Sequence, residues 1–312
     1  MERVLPSASV IVCAYSDDRT RQLCAALDSA SDQVRPPPEV IAVIDHNSDL
    51  QSFIAAAFPH VKTIANTGRR GLSGARNTGV HQATGEVIAF LDDDAIAEPQ
   101  WLSRMLSHYA DPAVMGVGGG VVPIWPEQRP RWLPEEFNWV VGCSYKGQPE
   151  QVSQVRNPIG CNMSFRRILF DRVGGFREDI GRQGSDASGC EETEFSIRAR
   201  QAFPQSFILY DPTAKVRHQV TPERTKWAYF RKRCLAEGRS KTLVVENVGA
   251  HAGLAAERRY VTRVLPAGIL RGLRELVLKF DPWGLARAGG IVAGLGYTAY
   301  GYFGAKLRSR WS

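Results

Sequence analysis

The sequence predicts an α/β protein in which a parallel sheet is flanked by helices and followed by a helical carboxyl-terminal extension. Three observations carry this. Short apolar β-rich runs alternate with helical patterns through the first part of the chain, clustered acids directly follow the fourth run, and excess positive charge is confined to the tail. With 312 residues, 44% of them hydrophobic and 23% charged, the chain has room for one large domain with an appendage, and its composition argues against disorder and fibrous classes.

The runs at 9–14, 40–44, 61–65 and 86–91 read as strands, with helices at 18–30, 50–58 and 73–83 between them. That is three βα units leading into a fourth strand. Ligands gather at the carboxyl ends of strands in open sheets of this kind, so the residues just after each run are the first candidates for a site. From 95 to 189 the pattern turns irregular, with a helix near 99–109, an apolar run at 114–122 and a Trp/Pro-rich stretch at 123–145 that resembles an active-site loop. A helix at 191–201 then precedes two short strands, 206–210 and 214–217. We place a domain boundary at 220, giving an α/β domain over 1–220 and a basic helical region over 221–312.

Net charge is +7, and it is unevenly spread. Residues 221–312 hold 17 Lys and Arg against 6 Asp and Glu, whereas the first 220 hold 22 against 26. Nucleic acid, an anionic membrane and a plain solvated surface each account for such a tail. Within it, 261–278 carries apolar residues near helical spacing with arginines between them, as in a basic amphipathic helix, and 288–305 is uncharged but rich in glycine. Eighteen residues sit at the lower limit for crossing a bilayer, so this segment either contacts the membrane or packs on the rest of the chain. The tail alternates charge with bulky apolar residues and has no aromatic RNA-binding motif, which argues against nucleic acid. Cys13, Cys24, Cys143, Cys161, Cys190 and Cys234 are scattered, arguing against zinc and a disulfide scaffold. The run at 10–14 lacks a basic leader and reads as a first strand rather than a signal peptide, so a cytoplasmic location is expected.

The strongest chemical signal is Phe90-Leu91-Asp92-Asp93-Asp94-Ala95, three carboxylates at a strand end. Such clustered charge needs a counterion, and Mg²⁺ or Mn²⁺ shared with diphosphate oxygens is the natural one. Upstream lies a glycine- and arginine-rich segment from Asn66 to Gly79, containing Gly71 and Arg76, where glycine permits close backbone approach and arginine offers cationic forks. In order and spacing these segments resemble those of the family 2 glycosyltransferases, which have a GT-A fold, a Rossmann-like mixed sheet flanked by helices. The resemblance covers about 8–245. It rests on Val10-Ile11-Val12-Cys13-Ala14-Tyr15, on Val43-Ile44-Asp45 with Asn47-Ser48, on Gly71 to Gly79 and on Asp92-Asp93-Asp94. Cys13 stands where the family often has proline.

The resemblance implies that Ala14, Tyr15 and Asp45 hold the nucleobase and ribose of a nucleotide-sugar, that Gly71 and Arg76 lie near the base or diphosphate, that Asp92 and Asp94 form the DxD pair on ribose and metal, and that Asp93 between them contacts the nucleotide-sugar. Gly189-Cys190-Glu191-Glu192-Thr193-Glu194 is similar to the family's acidic segment, which makes Glu192 the general base that deprotonates the acceptor hydroxyl, with Glu191 the alternative. An acidic helix start favoured by the helix dipole explains the same residues without catalysis. Asn162 is either a donor-sugar contact or a buried structural residue. His218 is either a ligand of the divalent cation or simply packed. Trp125, Trp132 and Trp139 either stack on an acceptor sugar or fill a loop core. The basic segment 229–241 either grips a phosphate or is solvated, and the Gln-x-x-Arg-Trp signature of processive synthases is absent. The resemblance thus implies an inverting transfer of a single sugar, from a UDP-sugar to a glycan or lipid-linked acceptor, in cell-envelope or exopolysaccharide synthesis at the cytoplasmic face of the membrane. A catalytically silent nucleotide-sugar-binding protein and a nucleotidyltransferase are the alternatives.

Overall fold

The computed structural model describes residues 5–180, 189–249 and 255–308. Residues 181–188, part of the irregular stretch expected before 189, and 309–312, the end of the basic tail, lie outside the described residues. The chain forms two compact units, one from Met1–Val122, Pro149–Ser185 and Glu191–His218, the other from Pro123–Gln148, Asp186–Cys190 and Gln219–Ser312.

The first unit is built on a mixed sheet. Its strands are β1 (Ala8–Ala14), β2 (Glu39–Ile44), β3 (Lys62–Ala65), β4 (Val87–Asp92), β5 (Ala95–Ala97), β6 (Val114–Ile124), β7 (Ser153–Val155), β8 (Asn162–Arg166) and β9 (Phe207–Gln219). Among the described residues they are ordered β3-β2-β1-β4-β8-β6-β9-β5, with β7 beside β9. β1 to β4 are parallel, and the three inner ones, β1, β2 and β4, are continuous apolar runs because such strands are covered on both faces. β8 reverses direction against β4. Helices α1 (Thr20–Ser31), α2 (Ser48–Ala57), α3 (Leu72–Gln82), α4 (Trp101–Ser107), α5 (Arg167–Val173) and α6 (Glu191–Ala202) follow in chain order. Ile11, Val43, Phe90 and Phe165 from the sheet form one buried cluster with Ala75 of α3, Phe170 of α5 and Phe195 of α6. Phe170 and Phe195 stack there at 4.7 Å between ring centroids.

Two sequence expectations need correcting. The segments 206–210 and 214–217 are a single strand, β9, because the Asp211 carboxylate accepts the Thr213 N–H at 2.8 Å and satisfies the backbone around Pro212 without breaking the strand. The stretch from 95 onward is less irregular than it reads, since it supplies β5, β6, β7 and β8. Its glycines hide the pattern. Gly119 of β6 lies so close to Ala214 O and the Asn162 amide that any Cβ there would overlap both.

The second unit is helical. α7 (Trp227–Val248) is followed by α8 (Ala255–Arg259), a π-helical turn at Tyr260–Val264, α9 (Leu265–Lys279) and α10 (Trp283–Arg308). The expected amphipathic helix at 261–278 is thus the π turn plus α9, and 288–305 lies within α10. Leu133, Phe137, Phe230, Leu265 and Ile291 form the core, with Trp125, Trp132 and Trp139 packed against it, so these tryptophans fill the loop core. Glu136 is buried and accepts from Arg271 at 2.5 Å, tying α9 to the Trp-rich segment. In α7, burial pushes the Glu237 carboxyl up, but Lys241 and Arg233 outweigh it and hold it at about 2 against an ordinary 4.5. Among the described residues no helix is long and apolar enough to cross a membrane.

Candidate active site

β4 delivers Asp92 to the carboxyl end of the sheet, and its register with β1 sets Cys13 opposite Asp92. The chain leaving β1 therefore runs beside Asp93 and Asp94. A 3₁₀ turn at Asp17–Arg19 brings Arg19 within 2.8 Å of Asp93 and 3.2 Å of Asp94, with its guanidinium carbon 5.0 Å from the Tyr15 ring centroid. Burial opposes the charge of Arg19, but Asp93 and Asp94 outweigh it and raise its pKa. On the other side β5 pairs antiparallel with β9, Ala95 opposite His218, which sets His218 Nε2 3.1 Å from Asp94 Oδ1. Both side chains are buried.

Arg76 of α3 is the hub of this end of the sheet. Its guanidinium is 2% exposed and donates to Glu191 Oε1 at 2.7 Å, to Asp92 Oδ1 at 3.1 Å and to Gly160 O at 2.9 Å. The Phe90 and Phe176 rings flank it, with centroids 5.8 and 5.7 Å away. Burial works against its charge, yet Asp92 and Glu191 raise its pKa, so it stays cationic. Beside it, burial pushes the Cys13 thiol up to about 12, which keeps that wall of the site neutral.

The acids of α6 divide by environment. Glu191, Glu192 and Glu194 all lie in its first turn, where the helix dipole favours negative charge. Glu194 is held by Arg198 at 2.8 Å and belongs to the scaffold. Glu191 is buried, one oxygen on Arg76 and Oε2 without a hydrogen-bond partner among the described residues. Glu192 is partly exposed, with Oε1 accepting from Thr193 Oγ1 at 3.1 Å.

The remaining expected site residues lie in differing surroundings. Asp45 is buried at the end of β2, where Oδ1 accepts from Asn66 Nδ2 at 2.6 Å and contacts His46 Nδ1 at 2.7 Å, and Oδ2 accepts the Gly71 N–H at 2.9 Å. It therefore shapes the loop that starts α3. Gly71 has φ 126°, a backbone that side chains rarely adopt. Ala14 has a buried side chain, whereas Tyr15 is 46% exposed. Asn162, expected either on the donor sugar or in a buried structural position, has no exposed surface, accepts from Trp101 Nε1 at 2.7 Å and donates to Gly120 O and Ala214 O at 2.9 Å each. Arg19, which grips two of the three clustered acids, is missed from sequence because its partners depend on the β1–β4 pairing.

The donor set can be tested against a divalent cation. Asp94 Oδ1 and His218 Nε2 are 3.1 Å apart, and neighbouring ligands of an octahedral ion at ~2.1 Å are themselves ~3 Å apart. The pair fits adjacent positions on one ion. Among the described residues no group of three or more His, Cys, Asp or Glu side chains is placed to hold a metal ion by itself. A cavity of about 300 Å³ lies near Ser7, Ala8 and Glu86, at the opposite ends of β1 and β4, and is no part of this arrangement.

Comparison with known proteins agrees with this architecture. The model of "Glycosyl transferase family 2" matches residues 9–174. The glucosyl-dolichyl phosphate glucuronosyltransferase of Haloferax volcanii is 34% identical over 240 residues, 76% of each chain. The succinoglycan biosynthesis protein ExoM of Rhizobium meliloti is 28% identical over 62% of this chain and 55% of its own. Among solved structures, the mannosyltransferase PcManGT from Pyrobaculum calidifontis, in complex with GDP-Man and Mn²⁺, superposes with TM-score 0.59 over 95% of this chain and 88% of its own at 19% identity. GalNAc-T7 with UDP, GalNAc and Mn²⁺ gives TM-score 0.55 over 78% and 48% at 16% identity. At these identities the structural matches speak for the fold. The chain is a member of glycosyl transferase family 2, a glycosyltransferase with the GT-A fold.

Proposed function

We propose that the protein is an inverting, metal-assisted transferase that moves one sugar from a UDP-sugar to a lipid-linked or polysaccharide acceptor at the cytoplasmic face of a membrane. The observation that carries this is the convergence of Asp92, Asp93, Asp94, His218, Arg19, Arg76 and the start of α6 at one end of the sheet. Asp94 and His218 would hold Mn²⁺ or Mg²⁺, the mixed oxygen and nitrogen donors favouring Mn²⁺. Bound there, the ion would neutralise charge on the departing diphosphate. Asp92, anchored on one oxygen by Arg76, would offer the other to a ribose hydroxyl. Tyr15 is exposed for stacking on the base, Ala14 offers backbone groups, and Asp45 with Gly71 keeps the adjoining loop in shape.

Glu192 is the better base of the two candidates. Glu191 is buried and engaged by Arg76 at 2.7 Å, which keeps it from an incoming acceptor hydroxyl, while Glu192 is reachable from solvent. Glu192 takes the acceptor O–H proton, that oxygen bonds to the anomeric carbon, and the bond to diphosphate breaks with its electron pair leaving on UDP. The named relatives support the acceptor class: one is a dolichyl phosphate sugar transferase, another a succinoglycan biosynthesis protein.

The experiment is a panel of UDP- and GDP-sugars, with Mn²⁺ or Mg²⁺ and a polyprenyl-phosphate-linked sugar as acceptor, scored for the leaving group. UDP release dependent on both acceptor and metal is expected. Release of inorganic diphosphate instead would assign a nucleotidyltransferase, and binding without any turnover would assign a silent binding protein.

A further inference from the structure

The α9–α10 hairpin is built inside out for a helix pair in water. α9 buries Leu265, Gly268 and Gly272, while Leu270, Val277 and Leu278 face solvent. α10 buries Gly284, Ala288, Gly290, Ile291, Gly294 and Gly301. Its exposed stripe is Leu285, Val292, Tyr300, Phe303 and Leu307, with only Gly289 and Gly296 between them at helical spacing, and carries no charge. The small residues permit backbone approach: a Cβ on Gly272 would lie 2.5 Å from Gly284 O. Between the helices Phe280 is 87% exposed at φ 51°. Small residues inside and bulky apolar residues outside is the pattern of helices that face lipid.

Charge selects the occupant. Glu275 and Asp281, the acids of the hairpin, are both held by Arg287, at 2.7 and 2.6 Å. Arg263, Arg274 and Lys279 are exposed along the same segment. The surface is therefore apolar and cationic together, which suits an anionic bilayer and would repel a second copy of itself. Neither helix is apolar enough to span. We propose that the α9–α10 hairpin is an interfacial membrane-docking surface, lying in the headgroup layer of an anionic bilayer with Leu270, Val277, Leu278, Phe280, Val292 and Phe303 entering the acyl boundary. This rests on the reading that the acceptor is lipid-linked, and it supplies the element that would hold the enzyme at that acceptor.

The test is flotation of the full-length protein with vesicles of phosphatidylcholine alone or mixed with phosphatidylglycerol, without sugar donor, and UDP release on a water-soluble acceptor without vesicles. The wild type is expected to float with the anionic vesicles. Arg274→Gln with Lys279→Gln is expected to weaken this roughly 25-fold at about fivefold per cation, and Val277→Gln, Phe280→Gln and Val292→Gln together on the order of a hundredfold. Both variants should keep wild-type UDP release and helical circular dichroism. Absence of flotation by the wild type, or flotation unchanged by the apolar triple, would overturn the proposal even with turnover intact. So would a dimer in light scattering that the apolar triple dissolves, which assigns the face to a second copy. Loss of turnover in a wild type that still floats would instead strike the catalytic reading.

Discussion

Glu192→Gln is expected to lower kcat by roughly 10²–10⁴-fold, the usual contribution of a positioned general base, while the affinity for UDP with Mn²⁺ stays within about twofold because the base makes its contribution only in the transition state. The substitution keeps the side chain's length and its contact with Thr193 and removes the proton-accepting charge. Glu191→Gln should behave differently. It weakens a buried ion pair with Arg76, so thermal stability should fall along with activity. Steady-state kinetics, calorimetry with UDP and a melting curve on both variants separate the roles. Equal loss of kcat in the two without any stability difference would mean that the pair acts as one unit.

Arg76→Met is expected to destabilise the protein by about 3–5 kcal/mol, the cost of breaking a buried ion pair by removing one partner. The guanidinium joins α3, the end of β4, the start of α6 and the Gly160 carbonyl, so its loss leaves the Glu191 carboxylate buried without a cation. Arg76→Lys should recover little, since one ammonium cannot reproduce a planar fork on three acceptors. Urea unfolding checks this. A midpoint within error of wild type would show that the ion pairs at this site contribute nothing to holding β4 and α6 together.

How much of the fold and site is legible in the sequence depends on where each residue's partners come from. β1, β2 and β4 are readable because parallel strands covered on both faces leave continuous apolar runs, and the acids after β4 are readable because charge directly after such a run is conspicuous. α6 announces itself by acids in its first turn. What is not readable depends on strand pairing. Arg19 meets Asp93 and Asp94 only because β1 lies beside β4, and His218 meets Asp94 only because β5 runs antiparallel to β9. Asn162 can be weighed either way from sequence until Gly120 O and Ala214 O claim its amide. Pro212 looks like a strand break because the Asp211 side chain that repairs the gap has no periodic signature. The tail's apolar residues are legible as an amphipathic pattern, but the inversion of small and bulky faces in α10 needs the packing to be seen.

The acids after β4, with His218, are proposed to form half of a cation site that a nucleoside diphosphate completes. Calorimetric titration of UDP into the wild type and Asp94→Ala, with Mn²⁺ and then with chelator, tests it most directly. Binding that requires Mn²⁺ and weakens at least about tenfold in Asp94→Ala is expected, since the variant removes a carboxylate proposed to ligate the ion. UDP binding of equal affinity in chelator, or undiminished in Asp94→Ala, would contradict it.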